Sequence, residues 1–585
     1  MNNFLHKRAL LLGVAFWALH PASVFAGDLP TGGQIIAGSG SISQNGSTLT
    51  VTQDTPHMAA NWQSFSIGQG HTVNFQQPSA QAVALNRVLG SDVSVIQGAL
   101  NANGKVFLIN PNGVTFTPDA QVNVGGLVAS TLQMDTDDFM AGHYRFAGDS
   151  TQAITNQGAI NAPGGTVALI AAKIINEGQI TADGGHVLMG AGAKVTLDLG
   201  GPVKLQIDEG ALQTQIDQGG AIRADGGHVY LTAKAAGELA TSVINHTGVT
   251  EAKTLSTGQD GSIILLGDMN VGTAHIAGEL NATAPAGGDG GFIETSAAQV
   301  DIAADTTITA GSSYGKGGLW LIDPFNYIIN ATAAGNIVSA LNTGTDVTVQ
   351  TTANNASFGG TGVNANGDIK VASAITKTAG GTATLTLEAA NVIDLAAPIT
   401  STSGALNLVL NADSDANGSG VVIATKGTSL NGGDLSFGVG DTAMLGGVST
   451  LVGGDVYVGG TEQVVFRTGG GRIDLFGELI IANPDGVKFI TDNGNARFYG
   501  IINGGNKYER ITNGGTPYTW NDAFADAKNG TAGGDAVGDS YLATVTSRLE
   551  NAVVVYVGDV ASALQLQDGA WLGGRRVTGI GTDNL

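Results

Sequence analysis

The side chains best placed for chemistry are two histidines, a glycine-lysine run and a scatter of carboxylates. His186 and His228 each follow a Gly-Gly pair, and imidazoles at matching corners of a repeat are the groups that hold a transition metal. The two pairs begin 42 residues apart, at Gly184 and Gly226. Read as two repeats of about 21 residues, that spacing puts the imidazoles about 10 Å apart, too far to share a zinc. "GSSYGKGG" at 311–318 has part of a phosphate loop. It has three residues, not four, between Gly311 and Gly315, and Gly317 stands where a Ser or Thr would hold Mg²⁺. "GGDGGF" at 287–292 is half of a calcium-binding nonapeptide, but it does not recur every nine residues. Turn glycines explain both.

A polysaccharide lyase or hydrolase needs clustered Asp and Glu, with Arg or Lys beside them in a groove. Here 48 acidic residues are spread through turns, mostly as single Asp residues, against only 25 Lys and Arg. No catalytic residue, cofactor or metal ligand is expected, and a β-helical polysaccharide lyase or hydrolase is kept as the enzymatic rival. One motif stands out. In "NANGKVFLINPNGVTF", residues 101–116, five strand-like residues end at Asn110-Pro111-Asn112-Gly113. Asn at i, Pro at i+1 and Gly at i+3 are what a type I turn prefers. The stop is a turn, and whether a partner also reads it stays open at this level.

The elements that must carry these residues follow from composition. The chain has 585 residues, 90 of them Gly and none Cys, and only 12% are charged. Short runs of Val, Ile, Leu and Thr between Gly and Asn turns predict strands rather than disorder. Residues 154–173, "ITNQGAINAPGGTVALIAAK", are followed by "IINEGQITADGGHVLMGAGAK", and Asn156, Ile160 and Val167 return as Asn176, Ile180 and Val187. A period of 20 predicts an all-β right-handed parallel β-helix with apolar ladders inside. Over 34–323 it would wind about 14 rungs, a rod of about 70 Å.

Residues 1–26 have the parts of a secretory signal: Lys7 and Arg8, an apolar core from Ala9 to Leu19, and a cut expected between Ala26 and Gly27. Losing the leader takes the net charge from −23 to −25. Such a polyanion is a poor nucleic-acid binder, and no stretch is long enough for stable membrane insertion. The chain is expected to be secreted, passing the Sec machinery and the periplasm. Zero cysteine suits a chain that crosses an oxidising compartment unfolded. The expected divisions are a signal peptide at 1–26, an amino-terminal domain at 27–150, β-helix repeats at 151–330, further β-rich repeats at 331–507, and an α+β segment at 508–585.

"LPTGGQIIAGSGSISQNGSTLTVTQ", "NWQSFSIGQGHTVNFQQPSAQAVALNRVLG", "NANGKVFLINPNGVTF" and "VNVGGLVASTL" together resemble the secretion domain of filamentous-haemagglutinin-type exoproteins, the cargo of two-partner secretion. The likeness continues through "GGDGGFIETSAA" and "GGLWLIDPFNYII", to about residue 330. The resemblance implies a capped right-handed β-helix recognised by periplasmic POTRA domains of an outer-membrane barrel transporter. It also implies a surface or released adhesin that contacts host glycans or receptors, with cytolysins and contact-dependent toxins as alternatives. The family's NPNG motif falls on Asn110, Pro111, Asn112 and Gly113 and is associated with secretion competence. Its second motif, Asn-Pro-Asn-Leu in some members, is replaced by "QQPSAQAVALNRV", so Asn86 and Arg87 are the weaker candidates there.

Near the other end "YTWNDAFADAK", "SYLATVTSRLENAVV" and "AWLGGRR" are similar to the first half of a C-type-lectin-like domain. That resemblance implies a helix holding Trp520 and Ala523, a strand and turn at 541–547, and a second helix from Glu550. The calcium-ligating Trp-Asn-Asp of that fold follows the segment matching Trp571 to Gly574, so the "WND" at 520–522 is not that set. No ligand residue is expected in this segment.

Overall fold

The computed structural model describes residues 28–199, 204–237, 239–256, 260–352, 367–415, 420–440, 451–452 and 454–498, and isolated strands beyond 500. The expected leader and its cleavage point lie outside the described residues.

Short strands stack in parallel on three faces, as the period requires. On the long face one inward column runs unbroken from Val106 through Val167, Val229, Trp320 and Leu385 to Ala496. Ile154, Ile174 and Ile216 stack on a second face, and Ile160, Ile180 and Ile222 on a third. Apart from the half-buried Ala496 these side chains are buried, the larger ones each stabilising the coil by about 1.5–3 kcal/mol relative to exposure. The corners must be narrow. A Cβ at Gly165, Gly185 or Gly227 would run into the carbonyl of Gly125, Gly165 or Gly185 on the preceding turn. The amino-terminal end is closed by an antiparallel hairpin, Gly40–Asn45 with Thr48–Gln53, turning at Gly46 with φ +58°.

Rungs are fewer than the period suggested. Between His57 and Asp323 the described residues of the long face hold ten parallel strands, the first His57–Trp62 and the last Leu319–Asp323. Part of the difference lies in longer later turns, as from Val229 to Ile263 and from Ile263 to Ile293, and part in two excursions. Gln133–Met134 and Tyr144–Ala147, with the helix Thr136–Met140 between them, leave the coil first, and the hairpin Lys194–Asp198/Lys204–Glu209 leaves it later. Together they form one four-stranded antiparallel sheet lying on the outer side of the long face. Val187 therefore pairs directly with Val229, and the 42-residue spacing is one rung plus a hairpin, not two rungs. This outer layer buries a second core, in which Phe107 stands 5.0 Å from Tyr144 and 5.8 Å from Phe139.

Residues beyond 330 continue the same coil. The step is made by a helix, Ala331–Asn342, which sits between the third-face strands Thr307–Thr309 and Ile375–Lys377. Asn330 caps it by accepting from the Ala333 amide at 3.0 Å, and Ile337 and Leu341 face inward. The sequence reading had only β repeats here. Farther on, Tyr541–Val545 is the expected strand, but it pairs antiparallel with Ala552–Tyr556, where a helix from Glu550 was expected. The run Val553-Val554-Val555 is β-branched at every position and favours the strand. Tyr518–Thr519 and Gly574–Arg575 are two further short strands of this segment, pairing antiparallel with Tyr508–Ile511 and Tyr541–Val545, and Trp520 and Trp571 lie outside the described residues.

Candidate functional site

Asn110 ends the strand Lys105–Ile109 and is completely buried. Its carbonyl accepts from the Gly113 amide at 3.0 Å, closing the expected turn. The side chain does more. Its Nδ2 donates to the Asp92 carbonyl at 2.9 Å and to Ser94 Oγ at 3.0 Å, while Oδ1 accepts from the Asn112 backbone amide at 3.0 Å. Asn112 Nδ2 in turn donates to the Gly90 carbonyl at 2.9 Å. On the following turn of the coil, Ser150 Oγ donates to the Pro111 carbonyl at 2.6 Å, and the Asn110 amide donates to the Ser130 carbonyl. Gly113 has φ +110° and lies against the Ala153 carbonyl, a conformation and a gap that suit glycine alone. The four residues bind together turns of chain from Gly90 to Ala153. Of the four, only Pro111 and Asn112 reach the surface, and both are half-buried.

Asn86 and Arg87 lie one strand away, paired with Leu108 and Ile109. Their side chains point in opposite directions, as successive strand residues must. Asn86 is buried inside the coil, where its Oδ1 accepts from Trp62 Nε1 at 3.0 Å. Arg87 points outward and donates to the Met134 carbonyl and to Thr136 Oγ1, fastening the first excursion to the long face. Burial lowers the guanidinium from its ordinary value, and the Asp135 carboxylate opposes the shift. The two motifs that the sequence separates are thus one assembly: the loop after Arg87 is the loop that Asn110 and Asn112 hold. Ser94, Ser130 and Ser150 complete it, and nothing in the sequence marks them, because their contacts cross between turns.

The histidines need a correction. His186 and His228 are direct neighbours on adjacent strands, with ring centroids 5.0 Å apart and planes 5° from parallel, not 10 Å apart. His228 Nδ1 lies 2.7 Å from Ser262 Oγ. Burial lowers the affinity of both rings for a proton, and the His228 charge lowers that of His186 further. Among the described residues no three His, Asp or Glu side chains converge as a metal site. Elsewhere, Glu294 and Asp323 lie on neighbouring strands, and burial, followed by the Glu294 charge, pushes the Asp323 carboxyl up to about 6.

Residues 26–282 match the family model of the TPS secretion domain. Over 110 residues the chain is 48% identical to a heme/hemopexin-binding protein of Haemophilus influenzae strain Rd, a match covering 19% of this chain and 12% of that one. A second heme/hemopexin-binding protein of Haemophilus influenzae is 46% identical over 98 residues, 17% of this chain and 11% of the relative. The chain thus spans about an eighth or less of the length of these relatives. The crystal structure of the HMW1 secretion domain from Haemophilus influenzae aligns over 80% of this chain and 100% of its own, with 21% identity and a TM-score of 0.41.

Proposed function

We propose, for a two-partner secretion exoprotein whose TPS secretion domain spans residues 26–282, that this domain engages the POTRA domains of an outer-membrane barrel transporter and that the rod behind it serves adhesion at a cell surface. The observation that carries the export reading is the corner at 110–113. It ties together the early turns of a coil that is closed at one end by its own hairpin, so winding has a fixed starting point. Each further rung buries more apolar surface outside the cell and opposes backsliding, with no need for ATP. The motif acts here first through folding, since Asn110 has no surface to offer a partner. An extended stack of strands with polar outer corners suits a surface adhesin and supports that part of the reading.

Export separates the two roles. The double substitution Asn110→Ala with Pro111→Ala is expected to leave the chain in the periplasm, and normal surface delivery would refute the motif's role. Asn110→Ala alone strands the Asp92 carbonyl and Ser94 hydroxyl and is expected to cost about 1–3 kcal/mol. Pro111→Ala touches only the half-buried ring; retention of that variant with unchanged stability would instead assign the motif to direct transporter contact.

A further inference from the structure

The outward-facing column of the long face holds Leu85, Phe107, Val128, Ala168 and Leu188, all buried beneath the antiparallel layer. The next two members, Tyr230 and Ile264, are still apolar but only half-buried, and the column turns polar one rung later at Glu294. The apolar stripe therefore outruns its cover by two rungs. Over those rungs lies an open cleft of about 910 Å³, walled by Leu205 and Ile207 of the hairpin on one side and by Tyr230, Ile264 and Leu266 on the other.

Among the described residues, the hairpin strand Lys204–Glu209 is the last in the order of its sheet, and its outer edge carries backbone groups that no described strand pairs with. The Ile207 carbonyl points into the cleft, where Lys234 Nζ meets it at 3.5 Å, the outer limit of a hydrogen bond. A strand edge beside an uncovered apolar stripe has the chemistry of a site completed by one more strand. Charge selects the occupant further. The whole chain is strongly acidic, yet two cations, Lys204 and Lys234, line this cleft, beside the two imidazoles whose affinity for a proton burial lowers. Its two carboxylates are turned to other work: Asp268 accepts from the backbone amides of Ala235, Asn270 and Val271, and Glu294 accepts from Ser296 Oγ.

We infer that the cleft between the Lys204–Glu209 strand and the outer long face is a docking site for an extended segment of a partner polypeptide with alternating apolar and acidic residues, added as the fifth strand of the antiparallel layer. The apolar side chains cover Tyr230 and Ile264, and the backbone bonds to the edge. The site does not depend on the export reading, and its test uses the purified full-length chain. A short synthetic peptide alternating valine and glutamate is titrated by calorimetry. Saturable one-to-one binding is expected, weakened about tenfold or more by Ile264→Glu, the worth of one lost apolar contact with a charge in its place. The same peptide N-methylated at alternate amides is expected to lose binding, and a valine-lysine peptide to bind at least about tenfold more weakly. Absence of saturable binding, equal binding of the N-methylated peptide, or equal binding to a folded Ile264→Glu chain would overturn the site.

Discussion

The outer column of the long face divides the molecule in two. From Leu85 to Ile264 it is apolar apart from the Tyr230 hydroxyl; from Glu294 it passes through Leu321, Thr348, Thr386, Val409, Ser436 and Asp474 to Arg497, mostly polar. The inner column does not change character along the same path. The early strands are thus buried on both sides and read as continuous apolar runs such as Val106-Phe107-Leu108-Ile109, whereas Ala383–Ala389 alternates inside and outside. One coil has two grades of packing. Its first part carries a second core and a buried polar network, and its later part depends on the interior ladder.

The comparison is broken most directly at Phe107. It is fully buried among Phe139, Tyr144 and Phe146, and Phe107→Ala is expected to cost about 3–5 kcal/mol. Thr386 occupies the same outward column in the later part, half-exposed, and Thr386→Ala is expected to change stability by no more than about 0.5 kcal/mol. Denaturant titration of both variants measures the contrast, and equal effects would mean that the outer layer adds nothing to the early rungs.

The coil was legible where nothing interrupts it. Asn156, Ile160 and Val167 pair with Asn176, Ile180 and Val187 as the period of 20 requires. It misled where a hairpin is inserted between turns, because Gly184-Gly185 and Gly226-Gly227 mark corners without saying how much chain lies between them. The outer layer did leave a trace, in apolar runs too continuous for a one-sided strand, and the helix at 331–342 left another in its Asn cap and buried 333, 337, 340, 341 spacing. For the site, the turn at 110–113 follows from residue types alone. Its clasp on Asp92, Ser94 and Ser150 does not, since hydrogen bonds between turns depend on register rather than on local sequence.

A buried polar ladder sharpens the picture of the early part. Asn156 Nδ2 donates to Asn176 Oδ1 at 2.7 Å, and Asn176 Nδ2 to Gln218 Oε1 at 2.6 Å; His246 takes the next position. Its ring nitrogens lie 2.7 Å from the Ala277 carbonyl and 2.9 Å from Thr250 Oγ1, and burial pulls its pKa down to about 4. In the unfolded chain it takes a proton near pH 6.5, so the unfolded state binds more protons between those values. Stability is therefore full above about pH 6.5 and falls as pH drops toward 4, by up to about 3 kcal/mol. His246→Gln, which continues the amide ladder, is expected to remove this loss. Identical acid profiles for the two chains would show that protonation of His246 plays no part in the acid loss.

The smallest effect belongs to the junction between the two parts. Gly335 lies in the interior of the helix Ala331–Asn342, and a Cβ there would meet nothing within 4 Å. Glycine in a helix interior costs about 1 kcal/mol relative to alanine, because it gives up more backbone freedom on folding. Gly335→Ala is expected to return about that amount, read as a shift in the denaturation midpoint. If the later rungs unfold as a unit apart from the early ones, the gain appears only in their transition and leaves that of the early part unmoved. A shift shared equally by every probe along the chain would instead mean that the two grades of coil melt together, and that the helix is no boundary.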